Sequence, residues 1–261
     1  MRLPRFPVSL GLLATFFLLI ALLLSGCDTD TPQNTLAPEG DVADKQRDLF
    51  NLVLWPAIVV MVLVEGALVF AMWRFRRRSD NDLPKQVHGN IRLEIAWTVA
   101  PAILLLVLAV PTIAAIIDLD EDPGPDALNV NVIARQWSWE FQYPDFLGPD
   151  GQPVSSLNEL HIPIERDILA AMTSEDIIHS FWVPRLAGKI DVVPARTNEL
   201  AFNANSEGEY SGQCAEFCGR GHALMRMTII AESEGEFLSW IKEQQAAASP
   251  SATVSPTPGS Q

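Results

Sequence analysis

Two long apolar stretches, Phe50 to Trp73 and Ile95 to Ile117, limit what this chain can fold into more than any other feature. They run 24 and 23 residues, against the roughly 20 that a helix rising about 1.5 Å per residue needs to cross a hydrocarbon layer about 30 Å thick. Both read as transmembrane helices. The loop between them, residues 74–94, carries Arg74, Arg76, Arg77, Arg78, Lys85 and Arg92 against Asp80 and Asp82. Cationic loops stay in the cytoplasm, so both termini are expected on the outer face. Glu65 falls inside the first span, where an ionisable group is costly and faces protein rather than lipid.

The N-terminus supports the same topology. Arg2 and Arg5 precede an apolar run from Leu10 to Leu24, the pattern of an export signal. It closes on Leu24-Ser25-Gly26-Cys27, which resembles the lipobox of bacterial lipoproteins. Residues 1–26 are thus expected to be a signal peptide, Cys27 the lipidated new N-terminus and residues 27–49 a flexible exported tether. An uncleaved anchor helix with an incidental cysteine is the alternative.

From Asp118 onward the chain has 22 Asp and Glu against 8 Lys and Arg, which accounts for the whole net charge of −14. Such a field repels nucleic acid and favours cationic partners, with association that weakens as salt rises. Within residues 118–248, short runs that mix apolar and polar positions alternate with turn residues: 128–134, 136–143, 157–162, 168–172, 177–183, 198–203 and 225–231. Seven strands at this spacing predict an all-β sandwich or barrel. Ser233 and Glu236 form a capping-box pattern ahead of a helix over 237–247, and the Pro- and Ser-rich residues 249–261 lack the apolar content to fold.

Within that domain, Gln213-Cys214-Ala215-Glu216-Phe217-Cys218-Gly219-Arg220-Gly221-His222-Ala223-Leu224-Met225 gathers two thiols, an imidazole, a carboxylate and a thioether, and His179 lies upstream. Soft thiolate and thioether donors beside imidazole suit copper. Two other readings compete. Cys214 and Cys218 could pair as a disulfide in an oxidising compartment. With both histidines they could hold structural zinc, although 43 positions separate His179 from His222 and break the usual close His pairing. A single-copper blue site uses one Cys with two His and a weak Met. The second Cys, four residues after the first, favours two bridged coppers. His88 and His161 have no soft ligands nearby in sequence and read as surface residues.

The pattern Cys-x₃-Cys-x₃-His-x₂-Met with an upstream His resembles the copper-A motif of cytochrome c oxidase subunit II, and the likeness runs from the lipobox to the last strand. It implies a cupredoxin-like Greek-key domain outside the membrane behind a two-helix hairpin, in the plasma membrane of a bacterium. By that pattern Cys214 and Cys218 bridge two Cu ions, His179 and His222 are terminal ligands, Met225 is the weak ligand of one copper and the Glu216 carbonyl that of the other. The Glu216 carboxylate would face a Mg²⁺ site shared with subunit I. Ala134-Arg135-Gln136-Trp137-Ser138-Trp139-Glu140-Phe141 is similar to the family's aromatic segment, which makes Trp137 the point where electrons arrive; mitochondrial members have Tyr where this chain has Ser138. Leu93 to Pro101 resembles the start of the family's second span, with Glu94 near a proton-uptake path. Glu140, Asp145 and Asp176 are candidates for the acidic patch that docks the donor.

The resemblance implies the electron-accepting subunit of a haem-copper oxidase, an oxidoreductase that takes electrons from cytochrome c or a similar carrier and passes them to haem in subunit I, where O₂ is reduced to water with proton translocation. The sequence has no Cys-x-x-Cys-His for a fused haem, so an external donor is expected. Quinol-oxidase relatives lack the copper ligands. Two alternatives stay open: the copper-A subunit of a nitric oxide reductase, and a membrane-tethered copper chaperone of thioredoxin type, in which the cysteines would start a helix.

Overall fold

A computed structural model describes residues 31–77, 79 and 89–247, together with Thr15 and Leu18. Apart from those two residues the expected signal peptide lies outside the described residues, as do Cys27, His88 and the tail over 249–261.

Helix α1 spans Asp41–Arg74 and α2 spans Ile91–Leu119. Their apolar segments reach mean hydropathies of 2.4 and 2.6 and are buried nowhere within the chain, which leaves lipid or other membrane subunits to cover them. Glu65 is among the exposed α1 residues. At α2 the Asn90 side chain accepts from the Arg92 and Leu93 amides, and Glu94 Oε1 accepts from Asn90 N at 3.2 Å. Glu94 thus caps its own helix start.

With 34 residues α1 is about 51 Å long, so it overshoots a bilayer by several turns. The surplus lies at the N-terminal end, where the sequence predicted a loose tether over 27–49. Residues 41–49 are helical instead, and the preceding stretch is strapped to the outer domain. Glu39 N donates to Arg185 O (2.7 Å), Asn205 N to Glu39 O (2.8 Å), and Ala43 N to Leu186 O (3.3 Å). Arg185 reaches back to Ala37 O and to the Glu39 carboxylate, and the Asn203 side chain caps the Asp41 amide at 2.9 Å. These partners lie about 150 positions away in sequence, where composition reveals nothing of them. Lys45 of α1 pairs with Asp118 at the end of α2, tying the two helices where they leave the apolar layer.

The outer domain is a sandwich of two five-stranded sheets. The first holds β1 (Leu128–Arg135), β2 (Ser138–Leu147), β3 (Pro153–Leu157), β5 (Ile168–Ser174) and β8 (Asn198–Phe202), in the order β3-β2-β1-β5-β8. The second holds β4 (Glu159–Pro163), β6 (His179–Trp182), β7 (Lys189–Val192), β9 (Gly208–Cys214) and β10 (Arg226–Glu232), in the order β4-β10-β9-β6-β7. Among the described strand pairs, β1–β5 and β10–β4 are parallel and the others antiparallel. Alternation buries one face of each strand: Leu128, Val130, Val132 and Ala134 of β1 meet Trp139, Phe141 and Tyr143 of β2 in a common core.

The sequence predicted seven of these ten strands. The missed ones are β3, with a single buried residue, β7, with four residues, and β9, whose two glycines and polar side chains carry no apolar alternation. Helix α3 (Glu234–Ala247) opens on the expected box, with the Glu236 carboxylate accepting from Ser233 N and Ser233 Oγ from Glu236 N. It packs Phe237, Trp240 and Ile241 on the sandwich. His161, expected at the surface, is 9% exposed: its ring stacks on Trp240 with centroids 4.0 Å apart, and Nδ1 lies 3.0 Å from the Glu232 carboxylate. The helix that covers it could not be placed on β4 from sequence alone.

Candidate metal centre

Strand pairing explains why residues 35 positions apart meet. β6 begins at His179 and β9 ends at Cys214, and the two strands are antiparallel neighbours with Phe181 opposite Cys214. The chain then leaves the sheet and returns as β10, and a bond from Cys214 N to Met225 O (2.9 Å) closes the loop at its base. Every sulfur and nitrogen expected from sequence points into this loop. Cys214 Sγ lies 3.7 Å from Cys218 Sγ, 3.9 Å from His179 Nδ1 and 3.2 Å from Glu216 O. Cys218 Sγ lies 3.6 Å from His222 Nδ1 and 3.8 Å from Met225 Sδ.

These spacings match a metal site. A first-row ion about 2.3 Å from sulfur and 2.0 Å from nitrogen, at a near-tetrahedral angle, keeps S and N roughly 3.5 Å apart. Each cysteine has its own histidine at that distance, and the two sulfurs sit between them. The cysteines are free thiols, far outside disulfide bonding distance. His179, Cys214, Cys218 and Met225 are buried, so unbound donors there would be desolvated without return. Burial first, then the adjacent Cys214 sulfur, pushes the Cys218 thiol up to about 12. A metal arriving at neutral pH therefore displaces a proton from Cys218.

The imidazole of His179 is held from behind. Its Nε2 donates to Asp176 Oδ1 at 2.8 Å, which leaves Nδ1 facing Cys214. Trp139 packs edge-on against the ring, centroids 6.2 Å apart, and against Phe181. Burial alone would raise the Asp176 carboxyl, but hydrogen bonds from His179 and from the Ile177 and Gln136 amides outweigh it and hold it down at about 2. Asp176 was expected in a docking patch; both of its oxygens accept hydrogen bonds from this framework, while 31% of its side chain stays exposed.

Trp137 was expected in a strand, yet it sits in the β1–β2 turn with 41% of its surface exposed. Its Nε1 donates to Cys218 O at 3.0 Å, and Gln136 Nε2 donates to the same oxygen at 2.9 Å. The ring lies against Gly219 and Gly221. A Cβ on Gly221 would fall 2.4 Å from Trp137 Cδ2, and Gly219 has φ of +109°, which disfavours a side chain. The two glycines of the Cys-Gly-x-Gly-His run are the signal that could have pointed to this close packing, though not to its partner. Beside the turn, Arg135 binds both Glu140 and Glu175. Asp145, the third expected docking residue, bonds Asn129 at the far end of the hairpin, roughly 23 Å along β2 from Ser138. Phe217 and Leu224, on the metal loop, are 77% and 81% exposed and were not singled out from sequence.

Family comparisons agree with this layout. The family described as "Cytochrome C oxidase subunit II, transmembrane domain" matches residues 37–115, and "Cytochrome C oxidase subunit II, periplasmic domain" matches residues 150–233. A cytochrome c oxidase subunit 2 of Bacillus sp. PS3 is 37% identical over 92% of this chain and 70% of its own length. The chain belongs to the cytochrome c oxidase subunit II family. A subunit 2 of Alkalihalophilus pseudofirmus is 38% identical, and there the match covers 87% of this chain but 66% of the relative, just short of two thirds. The quinol oxidase subunit 2 of Bacillus spizizenii is 32% identical over 90% of this chain and 72% of its own. Among solved structures, the periplasmic domain of subunit II of the Bradyrhizobium japonicum cytochrome oxidase covers 48% of this chain and 99% of that one, at 32% identity and a TM-score of 0.42. As a family member the chain is a membrane protein: a two-helix hairpin followed by a cupredoxin-like sandwich.

Proposed function

We propose that this subunit accepts single electrons from cytochrome c or a similar carrier at a two-copper centre and passes them to haem in subunit I of a haem-copper oxidase, which reduces O₂ to water. The observation that carries this reading is the pairing of each buried sulfur with its own imidazole nitrogen, at 3.9 and 3.6 Å, around two sulfurs 3.7 Å apart. Copper bound there supplies the reversible one-electron change. Cys214 and Cys218 would bridge, His179 and His222 would complete each side, and Met225 Sδ and the Glu216 carbonyl would act as weak outer ligands. The exposed Glu216 carboxylate is free to meet Mg²⁺ at the contact with subunit I, a hard cation that suits oxygen.

Trp137 is the receiving surface. Its ring is exposed to a docked donor while its Nε1 touches the carbonyl of a bridging cysteine, so one side chain spans from solvent to the site. Glu140 and Glu175 are paired with Arg135 beside the turn, and the acidic outer domain steers a cationic donor. A full ligand set distinguishes this chain from a quinol-oxidising branch. The chaperone alternative required the cysteines to start a helix; here they lie at the end of β9 and in the loop after it. Glu94, in the first turn of α2, is proposed to lie near a proton-uptake path of subunit I, and Cys27 is proposed as the lipid anchor.

The test is direct. The full chain, purified in detergent and loaded with copper, is expected to bind about two coppers and to give the EPR pattern of one unpaired electron shared between two copper nuclei. A mononuclear pattern would refute the proposal. A second experiment addresses the relay. Gly221→Ala drives a methyl into the Trp137 ring and is expected to break the bond to Cys218 O. Copper content should hold while stopped-flow electron uptake from reduced cytochrome c slows on the order of ten- to a hundredfold; an unchanged rate would remove Trp137 from the route.

A further inference from the structure

We propose that Arg135 sets which carriers the receiving surface accepts. By engaging Glu140 and Glu175 at once it withholds both carboxylates from a donor's lysines, and the apolar side chains of the same turns make the contact instead. The inference rests on Trp137 as the residue that meets the donor. Three segments converge on the guanidinium: Arg135 closes β1, Glu140 lies on β2 and Glu175 follows β5. Nη1 donates to Glu140 Oε2 at 2.5 Å, while Nε and Nη2 form a fork on Glu175, the Nη2 bond being 2.8 Å long. Glu140 Oε1 accepts from Gln142 Nε2 at 2.7 Å. All four carboxylate oxygens are thus taken by the protein itself.

Strand register puts this cluster at the point of entry. Arg135 pairs with Ser138 across β1 and β2, so Gln136 and Trp137 are the whole of the turn between them. Glu175 N donates to Ala134 O at 3.1 Å and fixes the bend after β5 beside that turn. The bend carries Ile177 and Ile178, which are exposed, as is Trp137. Apolar contact surface and clasped acids therefore share two adjacent turns.

Charge decides what such a surface selects. The net charge of −14 acts on a cationic carrier from a distance. Once the carrier is in contact, charges beyond about 8 Å are screened at physiological salt, and the groups at the interface take over. A carboxylate forked to a guanidinium can meet a lysine only by giving up a charge-assisted bond. A lysine-rich carrier thus gains little here over one with an apolar contact face. Arg135→Gln frees both acids, which stay ionised at neutral pH, and the loss of exposed pairs costs the fold little. Arg166→Gln is the control. It removes the same charge beside Asp126, past the opposite end of the eight-residue β1 and roughly 23 Å from Arg135.

The full chain in detergent is titrated with oxidised mitochondrial cytochrome c, a lysine-rich carrier, and with the same cytochrome after acetylation removes its lysine charges. At about 50 mM salt Arg135→Gln is expected to bind the native carrier about three- to tenfold more tightly than wild type does, and the acetylated one equally within about twofold. The gain should vanish at about 1 M salt, where screening reaches contact distance. Arg166→Gln should match wild type within about twofold. Equal gains in both variants would mean that net charge alone governs the choice and would overturn the proposal, as would no gain in Arg135→Gln. Should Arg135→Gln fail to fold, the wild type decides. An affinity for the native carrier that falls less than about threefold between about 50 and 200 mM salt supports the clasp, and a fall above about tenfold overturns it, since that requires unclasped carboxylates. Binding is read without electron transfer, so a copper-loaded wild type that takes no electron from either carrier would sink the functional reading alone.

Discussion

Cys218→Ser is expected to convert the site from about two coppers per chain to about one, and to end electron uptake from reduced cytochrome c. Cys218 is the hub of the donor set: its sulfur is the one that contacts Cys214, His222 and Met225 at once, at 3.7, 3.6 and 3.8 Å. A serine hydroxyl is hard and protonated at neutral pH, so it would not bridge soft metal ions. What survives is Cys214 with His179, a pair able to hold a single ion. Folding should be nearly intact, because replacing one small buried group costs about 1–3 kcal/mol even where the new hydroxyl finds no partner. Metal analysis and EPR on the same sample check this. Two coppers with a shared electron in Cys218→Ser would show that the bridge lies elsewhere. Met225→Leu makes a graded comparison, since a weak outer ligand should alter the potential and leave the count of coppers unchanged.

The cluster of candidate ligands was legible because its members are local. Five of the six lie within twelve residues, and soft donors at fixed short spacing advertise themselves without any fold. His179 was legible by the same chemistry, and its position on a strand beside β9 supplied the geometry. What the sequence hid are the supports, all of them long-range. Gln136 meets Cys218 across 82 positions and Asp176 meets Gln136 across 40. Nothing in the local pattern distinguishes an Asp turned inward to an imidazole from one in water, so Asp176 read as a surface acid. Local pattern does not separate Trp137 from Trp139 either; the family resemblance alone singled out Trp137. Only the placement of the turn, which starts β2 at Ser138 and not at Gln136, buries the second tryptophan and exposes the first. The strap at 37–43 was mistaken for a tether because its stability comes from Arg185, Leu186, Asn203 and Asn205, and not from its own residues.

That strap yields the second large expected effect, at Gly40. Its backbone is extended, φ −147°, so any residue could adopt the conformation. Space is what forbids a side chain: a Cβ would lie 2.5 Å from Asn203 O and 2.7 Å from Leu186 O, both backbone atoms that cannot swing aside. Gly40→Ala must therefore lift the strap. Overpacking of this kind costs about 1–3 kcal/mol, which here falls on the neighbouring bonds from Asp41 N to Asn203 and from Ala43 N to Leu186 O. Those bonds, with the Arg185–Glu39 pair, tie the top of α1 to the sandwich that carries the metal loop. Once they are released, the metal loop should lose its fixed height and orientation above the membrane. Spin labels at Asp48 and Lys189 should give a narrow distance distribution in the wild type and a broad one in Gly40→Ala, while copper content stays at the wild-type level. Electron transfer into subunit I should then fall in the assembled oxidase, although uptake from cytochrome c by the isolated chain does not. An equally narrow distribution in the variant would mean that the hairpin, and not the strap, sets the pose of the copper domain.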